Sequence, residues 1–251
     1  MPTPTLTKEE LKHLVRGGKP LGSGLTGEAF LVRLQTGRKA VLKRCSDRRF
    51  DFVFRNECRI LRELRRSGLV PRLLGKSRKP WAILMEHCEG RTGQDLLDDP
   101  VSRKETLVRV VRQLANQVGE LHKQGYAHND VKLDNCVVDT SSRPLAVRLI
   151  DFGHSVRLGR SGGYDVIPEG AHLAPELSKG GKASPSTDVF SLGHVLDWVM
   201  GQVGREFFPK VFHRLAAHAL SADPKRRPSP QLFVEAMDHG LAKMRNGVGR
   251  R

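Results

Sequence analysis

The sequence predicts an α+β protein, strand-rich over residues 18–90 and mainly helical over residues 91–242. Three stretches carry that prediction. The run Phe30-Leu31-Val32-Arg33-Leu34 leads through Gln35-Thr36-Gly37 into Ala40-Val41-Leu42-Lys43, which reads as strand, turn, strand. Residues 81–86 form a second apolar run, and it ends within a few residues at Gly90. In residues 103–124, Leu107, Val110, Val111, Leu114, Val118 and Leu121 recur at helical spacing and mark one buried face. A chain of 251 residues with 38% apolar content is long enough for one large domain or a two-lobed one.

Composition narrows the classes. No apolar run approaches the ~18 residues of a membrane span, and the first residues lack a signal-peptide core. The expectation is a soluble intracellular protein, cytoplasmic or nuclear. Cys45, Cys58, Cys88 and Cys136 have no paired metal-ligand spacing and sit in or beside apolar runs, which reads as buried free thiols. Net charge is +16 and unevenly spread: residues 38–79 hold fifteen Lys/Arg against four Asp/Glu, a net of +11. Such a surface attracts an acidic protein partner, nucleic acid or anionic lipid. A solvated basic face is the plainer reading, since the run contains no nucleic-acid motif.

In chain order, residues 1–17 read as an N-terminal extension. Thr7 and Glu10 stand at capping-box spacing, with Leu11, Leu14 and Val15 on one helical face. Gly22, Gly24 and Gly27 follow as G-x-G-x-x-G. That pattern is weak alone, because a glycine-rich hairpin turn looks the same. The strand after it puts these glycines on a β-hairpin, whereas a dinucleotide fingerprint would open a helix. The helical run 52–66 buries Ile60, Leu61 and Leu64, and Glu57 falls one turn ahead of Leu61 on that face. Ser229 and Pro230 are the N-cap and first-turn proline of a last helix through Leu232, Phe233, Ala236 and Met237. Residues 243–251 are expected to be a basic, disordered tail.

The centre of the chain is His128-Asn129-Asp130-Val131-Lys132-Leu133-Asp134-Asn135, followed by Asp151-Phe152-Gly153. Phosphoryl transfer uses such a set: a carboxylate to orient the attacking hydroxyl, a cation for the transferred phosphate, and an amide with a second carboxylate for Mg²⁺. Together with the glycine hairpin, the Lys43 strand and Ala174-Pro175-Glu176, these segments resemble the eukaryotic-type protein kinases. The resemblance covers residues 18–240 and is specific in combination, though no one tripeptide is.

That resemblance implies a bilobal kinase-like fold whose lobes meet near Gly90, with ATP and Mg²⁺ as cofactors. It implies that Gly22, Gly24 and Gly27 cover the phosphates, and that Lys43, paired with Glu57, holds the α- and β-phosphates. Ala29, Val41, Met85 and Val137 would line adenine, with backbone bonds from Glu86 and Cys88. Asp130 orients the substrate hydroxyl, Lys132 meets the γ-phosphate, and Asn135 and Asp151 coordinate metal. His128 is a packing strut, Glu176 pairs with Arg227, and Asp188 opens the central helix of the large lobe. Lys132 matches Ser/Thr kinases, so the implied acceptors are Ser/Thr hydroxyls of protein substrates.

Several positions depart from the family. Thr26 and Ala29 replace a common aromatic and a Val. Asn129 replaces the Arg that clamps an activation-loop phosphate, so phosphorylation at Ser155, Ser161 or Tyr164 has no Arg beside Asp130 to meet. Glu169 stands where a Thr is expected, and residues 205–220 read as a helix where a substrate-docking helix normally intervenes. The alternatives are a pseudokinase or scaffold, or a kinase acting on a non-protein acceptor.

Overall fold

The structure is a computed structural model that describes residues 3–161 and 172–248, so Tyr164, Glu169 and residues 249–251 lie outside the described residues. The chain divides into two units, one running to Cys88 and including Asp151–His154, the other made of Glu89–Ile150 and the residues from Ser155 onward. The first is β-rich and the second mainly helical.

In the first unit, α1 (Lys8–Gly17) begins at the expected cap. Thr7 Oγ1 accepts from Glu10 N at 3.1 Å, and Glu10 Oε2 accepts from Thr7 N at 2.7 Å. Strands β1 (Lys19–Ser23), β2 (Gly27–Arg33) and β3 (Lys39–Cys45) form a meander, followed by α2 (Asp51–Glu63), β4 (Leu73–Arg78) and β5 (Trp81–Glu86). The five strands make one antiparallel sheet in the order β1-β2-β3-β5-β4. Period-2 alternation divides β3. Ala40 and Leu42 enter a core with Phe30, Val32 and Leu84, covered by Leu11, Leu14 and Val15 of α1. Val41 and Lys43 face the other side.

The second unit opens with β6 (Arg91–Thr92) and α3 (Gly93–Leu97), then α4 (Lys104–Lys123) and β7 (Tyr126–Ala127). All six apolar positions expected on α4 are buried. Strands β8 (Cys136–Asp139) and β9 (Ala146–Leu149) join β6 in a three-stranded sheet ordered β6-β8-β9, and β10 (Val156–Arg157) pairs with β7. The helices α5 (Pro175–Ser178), α6 (Pro185–Val203), α7 (Lys210–Ala219) and α8 (Pro230–Val248) complete the unit.

The structure corrects two expectations. The basic tail does not begin at residue 243, because α8 continues to Val248. Phe233, Met237 and Leu241 extend one buried stripe at four-residue spacing, and Arg245 Nε donates to Glu105 at 3.1 Å. Leu232 points away from that stripe and is exposed, although Ser229 Oγ caps its N–H at 3.2 Å. The first unit ends at Cys88 rather than at residue 90, and it takes back Asp151–His154. All four thiols are free; Cys45, Cys58 and Cys136 are buried and Cys88 is half-buried.

Among the described residues no helix is long and apolar enough to cross a membrane. The stretch that follows α6 is a single short turn, Arg205–Phe207, before α7 starts.

Candidate active site

In the first unit, strand register gathers the expected nucleotide residues. Lys43 lies opposite Ala29 on β2 and Ile83 on β5, and Val41 lies opposite Leu31 and Met85. Ala29, Val41, Lys43 and Met85 therefore share one face of the sheet. Met85 is buried there. The N–H of Glu86 donates to the carbonyl of Arg72 at 2.9 Å.

The three glycines of the hairpin differ in what requires them. A Cβ at Gly27 would run into the Arg44 carbonyl and the Phe54 ring, so close strand packing demands glycine there. A Cβ at Gly22 or Gly24 would meet nothing within 4 Å, and neither residue has a left-handed φ. Protein packing does not account for their lack of a side chain, whereas close approach of a phosphate to the backbone would.

Lys43 Nζ lies 2.9 Å from Glu57 Oε2 and 2.9 Å from Asp151 Oδ1. Burial alone would pull the ammonium down, but the carboxylates of Asp151 and Glu57 outweigh it and hold its pKa above the ordinary lysine value. Lys43 thus stays charged. Glu57 is buried on α2, where desolvation pushes its carboxyl up against the opposing pull of Lys43. Its Oε1 also accepts from Phe152 N at 3.3 Å. Asn56 Nδ2 donates to Gly153 O at 2.8 Å, and a Cβ at Gly153 would collide with Val53. These α2 contacts explain why Asp151–His154 belongs to the first unit. Asp151 has a φ of 63°, a left-handed conformation that a non-glycine residue adopts at a cost and that the α2 contacts sustain.

The second unit holds the rest. Asp188, fully buried near the start of α6, accepts from the N–H of His128 and of Asn129, both at 2.8 Å, and lies 2.8 Å from His122 Nε2. Burial pushes its carboxyl up, but His122 and the other donors outweigh that, leaving its pKa below the ordinary value. His128 bridges the loop: its Nε2 lies 3.1 Å from Ile150 O, and its Nδ1 accepts from Asp130 N at 3.3 Å. This is a strut's geometry. Asn129 occupies φ 59° and is 2% exposed, and its Oδ1 accepts from Thr187 at 3.2 Å.

Asp130 is where the loop converges. Asn135 Nδ2 donates to its Oδ2 at 2.6 Å and to its backbone carbonyl at 2.9 Å, and Lys132 Nζ lies 3.2 Å from Oδ2. With its Nδ2 so engaged, Asn135 presents its amide oxygen as the atom able to meet a cation. Val137 sits on β8, opposite Thr92 and Arg148. Arg227 forms a two-pronged ion pair with Glu176 at 2.6 and 2.8 Å and lies over Phe190 at 5.0 Å. Ser155 is fully buried and donates to His128 O, so this position does not offer an accessible hydroxyl.

Sequence reasoning missed His172, whose Nε2 stands 2.9 Å from Asp130 Oδ1. It also missed the part of His122 in holding Asp188. Both contacts join residues far apart in sequence and belong to no short motif.

The protein kinase domain family matches residues 15–211, and the chain belongs to that family. Among curated proteins, it is 28% identical over 230 residues to the serine/threonine-protein kinase pkn2 of Myxococcus xanthus, covering 85% of this chain and 28% of that protein. It is 27% identical over 207 residues to the hormonally up-regulated neu tumor-associated kinase of Homo sapiens, covering 73% and 28%. To the probable serine/threonine-protein kinase zyg-1 of Caenorhabditis briggsae it is 25% identical over 243 residues, covering 90% and 31%. The chain thus spans under a third of the length of these relatives.

Proposed function

We propose that this chain transfers the γ-phosphoryl group of ATP to Ser/Thr hydroxyls of protein substrates, with Mg²⁺ as cofactor. The observation that carries the reading is the arrangement around Asp130: one carboxylate held by Asn135 and Lys132 in a loop that a buried Asp188 anchors. A carboxylate fixed in this way can orient a hydroxyl and accept its proton as the bond to phosphorus forms.

The other roles follow from what each group can do. Lys43 keeps its charge and suits the α- and β-phosphates, with Glu57 setting its position. The bare backbone at Gly22 and Gly24 suits close phosphate contact, while Gly27 serves the hairpin itself. Ala29, Val41, Met85 and Val137 give apolar surface for a purine, and Glu86 and Cys88 contribute backbone groups. Mg²⁺ commonly takes only one or two protein carboxylates alongside phosphate and water. The one-third-exposed Asp151 and the amide oxygen of Asn135 fit that demand. When bound, the ion neutralises phosphate charge. Lys132 steadies the phosphoryl group in transit, and catalysis rests on positioning and charge compensation.

Radiolabelled γ-phosphate transfer from ATP·Mg²⁺ to a degenerate peptide library tests the reading, with Asp151→Asn and Asp130→Ala as controls. Label on Ser/Thr peptides that both substitutions abolish is the expected result. ATP binding without transfer would sink it in favour of a scaffold, and transfer only to non-peptide acceptors would redirect the acceptor assignment.

A further inference from the structure

We infer that His172 is a positioning residue that fixes the Asp130 carboxylate for the acceptor hydroxyl, an inference resting on the kinase reading above. Its Nε2 stands 2.9 Å from Asp130 Oδ1, forty-two residues away in sequence. The other side-chain contacts to this carboxylate described above, from Asn135 and Lys132, both fall on Oδ2.

The terminal torsion of an aspartate is soft, and its two oxygens turn together, so donors on both sides of the carboxylate resist rotation in either sense. His172 supplies such a donor at Oδ1. A carboxylate oxygen accepts more than one donor, so an incoming hydroxyl can bond to Oδ1 beside His172 without displacing it.

His172 is itself well held. Ser191 Oγ on α6 donates to its backbone carbonyl at 2.6 Å, and its ring meets that of His194 edge to face, with centroids 6.3 Å apart. It comes just before the α5 segment that the Glu176–Arg227 pair fixes. Together with Lys132, His194 and the half-exposed Trp198, His172 also lines a groove of about 300 Å³. The residue that pins Oδ1 is thus part of the surface an acceptor segment would meet.

The test compares His172→Leu, which keeps bulk and loses the donor, with His172→Gln, whose amide nitrogen can reach the place of Nε2. Leu should lower kcat for peptide phosphorylation about 10- to 100-fold, as misplacement of a reacting group does, with the KM for ATP unmoved. Gln should restore most of the loss. Unchanged or raised kcat in the Leu variant would overturn the inference, and so would failure of Gln to improve on Leu.

A readout independent of turnover guards against misfolding and against failure of the kinase reading. In ¹⁵N spectra of the full chain, the His172 ring signals, identified by their loss in His172→Gln, should move when Asp130 becomes Ala. Signals that stay in place would refute the contact. Absence of transfer by the unaltered protein would instead count against the kinase reading.

Discussion

Asp188 transfers nothing, yet three donors converge on its carboxylate and through it shape the loop that carries Asp130. An amide offers one acceptor oxygen in place of two. Asp188→Asn should therefore cost about 3–5 kcal/mol, the range for breaking a buried charged network, measured by urea unfolding at pH 7. The pH dependence has a definite sign. The folded pKa lies below the ordinary value of 3.8, so the ionised group stabilises the fold. That contribution is complete above roughly pH 4 and is lost as pH falls through the depressed folded pKa. The stability gap between Asp188→Asn and the unaltered chain should shrink below that pH. A gap that stays constant would show that the carboxylate's charge is not what matters.

The glycine hairpin lets the needs of fold and ligand be separated within one element. Gly27→Ala forces the β2–β3 backbones apart and should destabilise by about 1–3 kcal/mol. Gly22→Ala and Gly24→Ala meet no protein atom, so thermal midpoints should hardly change while ATP affinity falls. Equal loss of stability at all three positions would contradict this. A similar separation applies to Asn129. Its side chain, which stands where the family carries an Arg, is buried against Thr187 and brings no guanidinium to receive a phosphate. Phosphatase-treated protein should retain its turnover, and abolished activity would defeat the proposal. Elements with a repeating signal were readable in advance: the α4 stripe, the Thr7–Glu10 cap and the meander all follow local periodicity. The end of α8 was obscured because basic residues dilute a stripe that Leu241 continues. Membership of Asp151–His154 in the first unit depends on Val53, Asn56 and Glu57, roughly ninety-five residues earlier, and no local pattern encodes that contact.

For the molecule as a whole, a ligand that binds only the native state raises its stability by mass action, by about 2.7 kcal/mol at a hundredfold excess over Kd. ATP with Mg²⁺ should accordingly raise the thermal midpoint more than ATP alone. On the proposed role of Asp151 as a metal ligand, Asp151→Asn should erase most of the metal-dependent part, because it removes a partly exposed carboxylate. An equal midpoint with and without Mg²⁺ in the unaltered chain would count against Asp151 as a metal ligand. The family was legible at this scale because Lys43, Glu57, Asp130, Asn135, Asp151, Glu176 and Arg227 all stand in order along one chain. The stripped stretch from α6 to α7 was legible too, as a missing interval. Placing Asp188 beneath the loop has a consequence for genetics. A cell expressing a chain altered at 188 should lose the polypeptide itself to quality control, giving a recessive loss-of-function allele. One altered at 130 or 151 should keep a folded polypeptide at normal abundance, so the two kinds of lesion separate by protein level alone.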